Sequence, residues 1–111
     1  MSRERSINRY ERAELVKDIR EAAKFHTMAA MRTLPFAPFT VPVTVEFLPY
    51  QATGVLADTA NHLPPCKAVL DGMVDAGLLV DDNPKYVISQ CFYPPVKSKL
   101  VGIAVLVKVA P

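Results

Sequence analysis

A small α+β domain, a mixed sheet with helices packed on it, is predicted by three features of the sequence. A long charged segment free of Gly and Pro carries apolar residues every three or four positions. A second, shorter segment with the same helical period opens on two prolines, and three alternating or continuous apolar runs are separated by turn residues. The predicted order is helix, strand, helix, strand, strand. The chain of 111 residues fits one domain over 1–111, with a charged N-terminal helix in 1–32 and the core in 41–109.

The first helix begins near Asn8, with Glu11 three places on as a capping partner, and meets no proline until Pro35. Leu15, Ile19, Ala22, Ala23, His26 and Ala30 fall on one face, which is expected to dock on the core with His26 at its edge. Arg9, Arg12, Lys17, Arg20 and Lys24 alternate with Glu11, Glu14, Asp18 and Glu21, so the other face is expected to be solvated and largely self-paired. A Pro-rich connection over 33–40 leads into VPVTVEFL, whose alternation predicts a strand over 41–48, with Pro42 at its start or on an edge. Residues 49–60 lack a period and are expected to form a loop.

Asn61 is placed to cap a second helix, with Pro64 and Pro65 in its first turn and Gly77 at its end. Cys66, Val69, Leu70, Met73 and Val74 form its buried stripe, and Lys67, Asp71 and Asp75 share another face at four-residue steps. After the turn at Asn83 and Pro84, YVISQCF and LVGIAVLVKV are expected to pair as a hairpin, with the last run at the centre of the sheet. So small a sheet leaves apolar surface that a homodimer would cover.

Composition narrows the function. Half of the residues are apolar (50%) and 22% are charged, which excludes a disordered chain. No run of about 18 apolar residues is present to span a bilayer or serve as a leader, so a soluble, cytoplasmic protein with no membrane attachment is expected. Two cysteines, Cys66 and Cys91, are too few for a disulfide framework or a zinc site, and both are expected to be buried.

The net charge of +2 conceals an acidic island between basic segments. Residues 1–32 hold 8 Lys/Arg against 5 Asp/Glu, residues 56–82 hold 1 against 5, and residues 83–111 hold 4 against none. That pattern suits a cation site beside a surface for a polyanion; an ordinary solvated acidic face is the other reading of the same charges. Asp58 at a loop end and Asp81 and Asp82 beyond the second helix can converge, and converging carboxylates bind Mg²⁺ or Mn²⁺. Such a cation polarises a phosphoryl group and activates water, with Lys67 placed to hold a phosphate oxygen or orient the water.

The stretch DTANHLPPCKAVLDGMVDAGLLVDD, residues 58–82, resembles the core signature of the RusA-type Holliday junction resolvases. That signature is an Asp-x-Asp-Asn turn, a Lys six residues after the Asn, an Asp-Gly/Ala-Leu, an Ala-Gly and an Asp-Asp pair. The step from Asn61 to Lys67, the step from Lys67 to Asp82, and Asp71, Ala76 and Gly77 all match. The resemblance covers 25 of 111 residues and is closer to the short phage-encoded versions; the long N-terminal helix is not part of it. It implies a small α+β dimer with Mg²⁺-dependent endonuclease activity that cuts branched DNA, four-way junctions, by two symmetric nicks. Asp58, Lys67 and Asp82 are carried over as catalytic residues, with Asp58, Asp81 and Asp82 toward the metal. The second carboxylate of the turn falls on Ala60, which cannot bind metal. Either Asp81, Asn61 or water fills that place, or the chain binds junctions and cuts them weakly or not at all.

Overall fold

The residues that fold as the sheet's centre are those with the clearest alternation. In the computed structural model, which describes residues 9–34, 38–51, 63–99 and 102–111, Val43, Val45 and Phe47 are at most 1% exposed, whereas Thr44, Glu46 and Leu48 point to the opposite, half-open face. They belong to strand β1 (Val43–Gln51). The other elements are helix α1 (Arg9–Met31), helix α2 (Leu63–Asp75), and strands β2 (Val87–Phe92), β3 (Val96–Lys97) and β4 (Gly102–Val109). Among the described residues, the fold is α+β with a small mixed sheet of four strands and two helices. Among the described residues, no helix is long and apolar enough to cross a membrane.

β1 runs parallel to β2 and β3 along one side and antiparallel to β4 along the other. The expected hairpin between the last two apolar runs therefore does not form, and the last run is an edge strand instead of the centre. The physical reason lies in the burial pattern. β1 has a fully buried face, while β4 alternates between half-buried Ile103, Val105 and Val107 and exposed partners, as a strand covered on one face only does. The strand also runs on to Gln51, so the first residues of the expected loop pair in the sheet.

Pro49 shows how a proline fits inside this central strand. Phe47 accepts a backbone hydrogen bond from Tyr93 on the β2 side, so the odd-numbered residues of β1 direct their N–H groups to that side. The N–H that Pro49 lacks would point into the gap between β2 and β3, where Pro94 and Pro95 interrupt the edge and no ladder bond is needed.

α2 covers the buried face of β1 with Cys66, Leu70 and Met73 in one cluster with Val43, Val45, Phe47 and Val87. It ends as expected at Gly77, whose φ of 89° is the left-handed conformation that glycine tolerates. The N–H of Leu78 bonds the Met73 carbonyl and that of Gly77 bonds Val74, the paired closure of a Schellman cap.

α1 packs on α2, but its buried line is shifted from the expected stripe. Ile19, Ala23, Thr27 and Met31 are half-buried, while Leu15, Ala22, His26 and Ala30 are exposed. Ala22, His26 and Ala30 border an apolar groove of about 960 Å³ between α1 and the valines of β4. At Gly72 the α1 backbone approaches α2 so closely that an added Cβ would collide with the Arg20 carbonyl oxygen. Cys66 is buried as expected. Cys91 is exposed, because its register opposite Glu46 places it on the sheet face away from α2.

Candidate functional site

Lys67 lies in the first half of α2, one residue after the buried Cys66, so its side chain leaves the helix beside the core instead of within it. The Schellman cap turns the chain back, Leu79 pairs with Phe39, and the turn at 81–86 brings the chain past the same end of the sheet. That return places Asp82 against Lys67. The ammonium donates to Asp82 Oδ2 at 2.5 Å and to Asp71 Oδ1 at 2.7 Å. Of the residues singled out from the sequence, Lys67 and Asp82 are thus brought into direct contact.

The turn that carries Asp82 is built by Asp81 and Asn83. Asp81 Oδ1 accepts the backbone N–H of Asp82 at 2.7 Å, and its Oδ2 accepts from Asn83 Nδ2 at 3.1 Å. Asn83 Oδ1 in turn accepts the Lys85 N–H at 2.9 Å, an Asx turn. Both oxygens of Asp81 are engaged in shaping the turn, a local task the reading of it as a metal ligand did not foresee. Asp58, Ala60 and Asn61 lie outside the described residues.

The charges tune one another. Lys67 holds the Asp82 carboxyl below the ordinary carboxylate range. Asp71 first, and Asp82 second, raise Lys67 above the ordinary lysine value. Lys67 is therefore an ammonium throughout the neutral range and not a proton acceptor. A cleft of about 420 Å³ opens beside Lys67 and Asp82, walled by Pro84, Val87, Ile88, Ser89, Gln90 and Phe92. Its β2 wall is irregular: Thr44 pairs with Ser89 although Val43 pairs with Val87, so Ile88 is the extra residue of a bulge and is about half exposed (54%).

The donors at hand are hard carboxylate oxygens, which suit Mg²⁺ or Mn²⁺ in kind. Among the described residues, no group of three or more His, Cys, Asp or Glu lies close enough together to hold an ion.

The four-residue step shared by Lys67 and Asp71 anticipated their contact, and one contributor, Arg20, escaped the sequence reading. Arg20 looked like part of a self-paired helix face. It instead crosses from α1 to α2, donating from Nε and Nη2 to Asp75 at 2.6 and 2.9 Å, with Nη1 3.9 Å from Asp71. Asp75 is held below the ordinary carboxylate range by this fork, and Arg20 is raised in return. No local pattern links residues 55 apart in sequence.

No protein-family model, no curated protein and no solved structure matches this chain.

Proposed function

We propose that this chain is a metal-dependent, structure-specific endonuclease of the RusA type that resolves four-way DNA junctions by two symmetric nicks in recombination and repair. The observation that supports this reading best is the Lys67 to Asp82 contact, which joins the two residues that the motif couples across fifteen positions. Asp58 and Asp82, with Asp81 beside them, would hold Mg²⁺ or Mn²⁺, which when bound polarises the phosphoryl group and makes water nucleophilic near neutral pH. Lys67, fixed as a cation, engages a phosphate oxygen at the mouth of the cleft, and the irregular β2 wall shapes the space beside it.

Paired nicks require two sites, so the active form is a homodimer. Supporting this, β4 pairs only with β1 among the described residues, and Leu106 and Val109 on it are about half exposed, at 51% and 58%. Lys85, Lys97 and Lys99 are exposed and available to DNA phosphates.

The test is nicking of a synthetic four-way junction with and without Mg²⁺ or Mn²⁺. Metal-dependent, symmetric nicking of two of the four junction strands is expected. Asp82→Asn should lower the rate by about two orders of magnitude, the scale for losing a group that stabilises transition-state charge, without weakening junction binding. Unchanged cleavage by that variant would remove Asp82 from the site. A specific observation, Ala60 in place of an aspartate, favours a second reading, a junction-binding protein that does not cut. Salt-sensitive binding without nicking, and nicking rescued by Ala60→Asp, would establish it. Neither nicking nor salt-sensitive binding would sink both readings.

A further inference from the structure

Asp71 has no part in the proposed metal site, yet it is one of the two anchors of the Lys67 ammonium. The two anchors differ in what else they must do. Asp82 has to share its charge with any cation that enters the site, whereas Asp71 sits one helical turn beyond Lys67 on α2 and is free of that demand. Its other oxygen, Oδ2, faces Arg20 Nη1 of α1 at 3.9 Å. Arg20 is itself held, because its fork closes on Asp75. The backbones of α1 and α2 in turn meet at Gly72, the residue after Asp71, where an added Cβ would collide with the Arg20 carbonyl oxygen.

We infer that Asp71 is a positioning residue which keeps the Lys67 ammonium aimed at the cleft when Asp82 engages a cation. Arg20 steadies Asp71 from α1, so the N-terminal helix forms part of the working site. This inference rests on the endonuclease reading for its consequence in catalysis, but the geometry it concerns is measured separately.

The experiment uses the full chain with Asp71→Asn, Asp71→Glu and Arg20→Gln. Three quantities are read: the single-turnover nicking rate of the bound junction at saturating Mg²⁺, the junction Kd, and the NMR order of the Lys67 side chain in the DNA-free protein at saturating Mg²⁺. Asp71→Asn is expected to slow the bound complex by about tenfold to a hundredfold, the range for groups that orient a reacting partner, with Kd no weaker. Its Lys67 side chain should lose order. Asp71→Glu should restore part of the rate, and Arg20→Gln should act in the same direction by less. A rate loss that merely follows a weaker Kd would overturn the inference, as would unchanged Lys67 order in Asp71→Asn. If the wild type does not nick at all, the endonuclease reading fails and the Lys67 order still decides whether Asp71 holds the lysine.

Discussion

The two sides of α2 are attached to the rest of the molecule by different physics. Toward β1, Cys66, Leu70 and Met73 are buried against Val45 and Phe47, and the contact is stabilised by removal of apolar surface from water. Toward α1, the contact joins the half-buried line Ile19, Ala23, Thr27 and Met31 and the close approach at Gly72 with charged side chains at Asp71 and Asp75 that remain partly exposed. The first attachment is insensitive to pH and to ionic screening and sensitive to volume. The second is sensitive to all three, and it is the one that adjoins Lys67. A helix can thus be rigid on its core side while the site on its other side depends on weaker, tunable contacts.

The largest expected effect tests the core side. Phe47→Ala removes a ring that is 0% exposed and stacked on Phe92 with centroids 5.2 Å apart. It should cost about 3–5 kcal/mol in denaturant unfolding, as for other buried aromatic truncations. A loss below about 1 kcal/mol would show that β1 is not the core strand.

Next comes Gly72→Ala, in which two opposing terms compete. Replacing a glycine inside a helix gains up to about 1 kcal/mol, whereas overpacking costs about 1–3 kcal/mol. The added Cβ meets two backbone atoms of α1, the Arg20 carbonyl oxygen and the Lys24 nitrogen at 2.9 Å, which cannot rotate aside. Net destabilisation is expected, with faster amide exchange confined to α1. A stabilised variant with unchanged exchange would mean that α1 does not lie against α2.

A smaller effect is expected from acid. Asp75 and Asp82 both have folded values below their unfolded value of about 3.9, so their contribution is complete above that pH and is lost as pH falls through the lower folded values. Lys67, raised by its partners, contributes below the unfolded lysine value and loses that contribution only in strong alkali. Urea midpoints at about pH 7 and about pH 3 should therefore differ more for the wild type than for an Asp75→Asn, Asp82→Asn double variant. Equal drops would mean that the ion pairs contribute nothing to stability. The smallest effect belongs to the cysteines: exposed Cys91→Ser should change stability by no more than about 0.5 kcal/mol. Cys66, whose thiol burial pushes up to about 11, should resist thiol reagents until the chain unfolds.

The strands and helices were legible wherever one residue's neighbours decide its conformation. The alternation of Val43 to Phe47, the stripe Cys66, Leu70, Met73, and the glycine stop at Gly77 all follow from local periodicity or backbone freedom. Pairing was not legible, because β2 and β4 are both apolar and both follow α2. Among the described residues both lie at edges, one on each side of β1, and nothing local in either run selects its side. Within the site, the motif spacing assigned Lys67 and Asp82 to one place in the chain's chemistry without specifying their contact, whereas the helical step pointed to the Lys67 to Asp71 pair. The Arg20 fork was not, since a charged residue on a helix offers equally good partners nearby, and only the approach at Gly72 selects Asp75.

The position of β1 in the sheet also orders events in time. Both of its long neighbours, β2 and β4, follow it in the chain beyond α2, so neither flank of β1 can be paired while it is being made. Closing the Val43 to Val109 register encloses α2, β2 and β3 in one loop, a late and entropically costly step for which the compensating contacts arrive together. The α-helices are local and can form early, but the two edges of β1 stay open to water, or to another nascent chain, until β2 and β4 pair with it. Slow, concentration-sensitive refolding is the kinetic signature of that arrangement, and substitutions in β4 should register first in the folding rate.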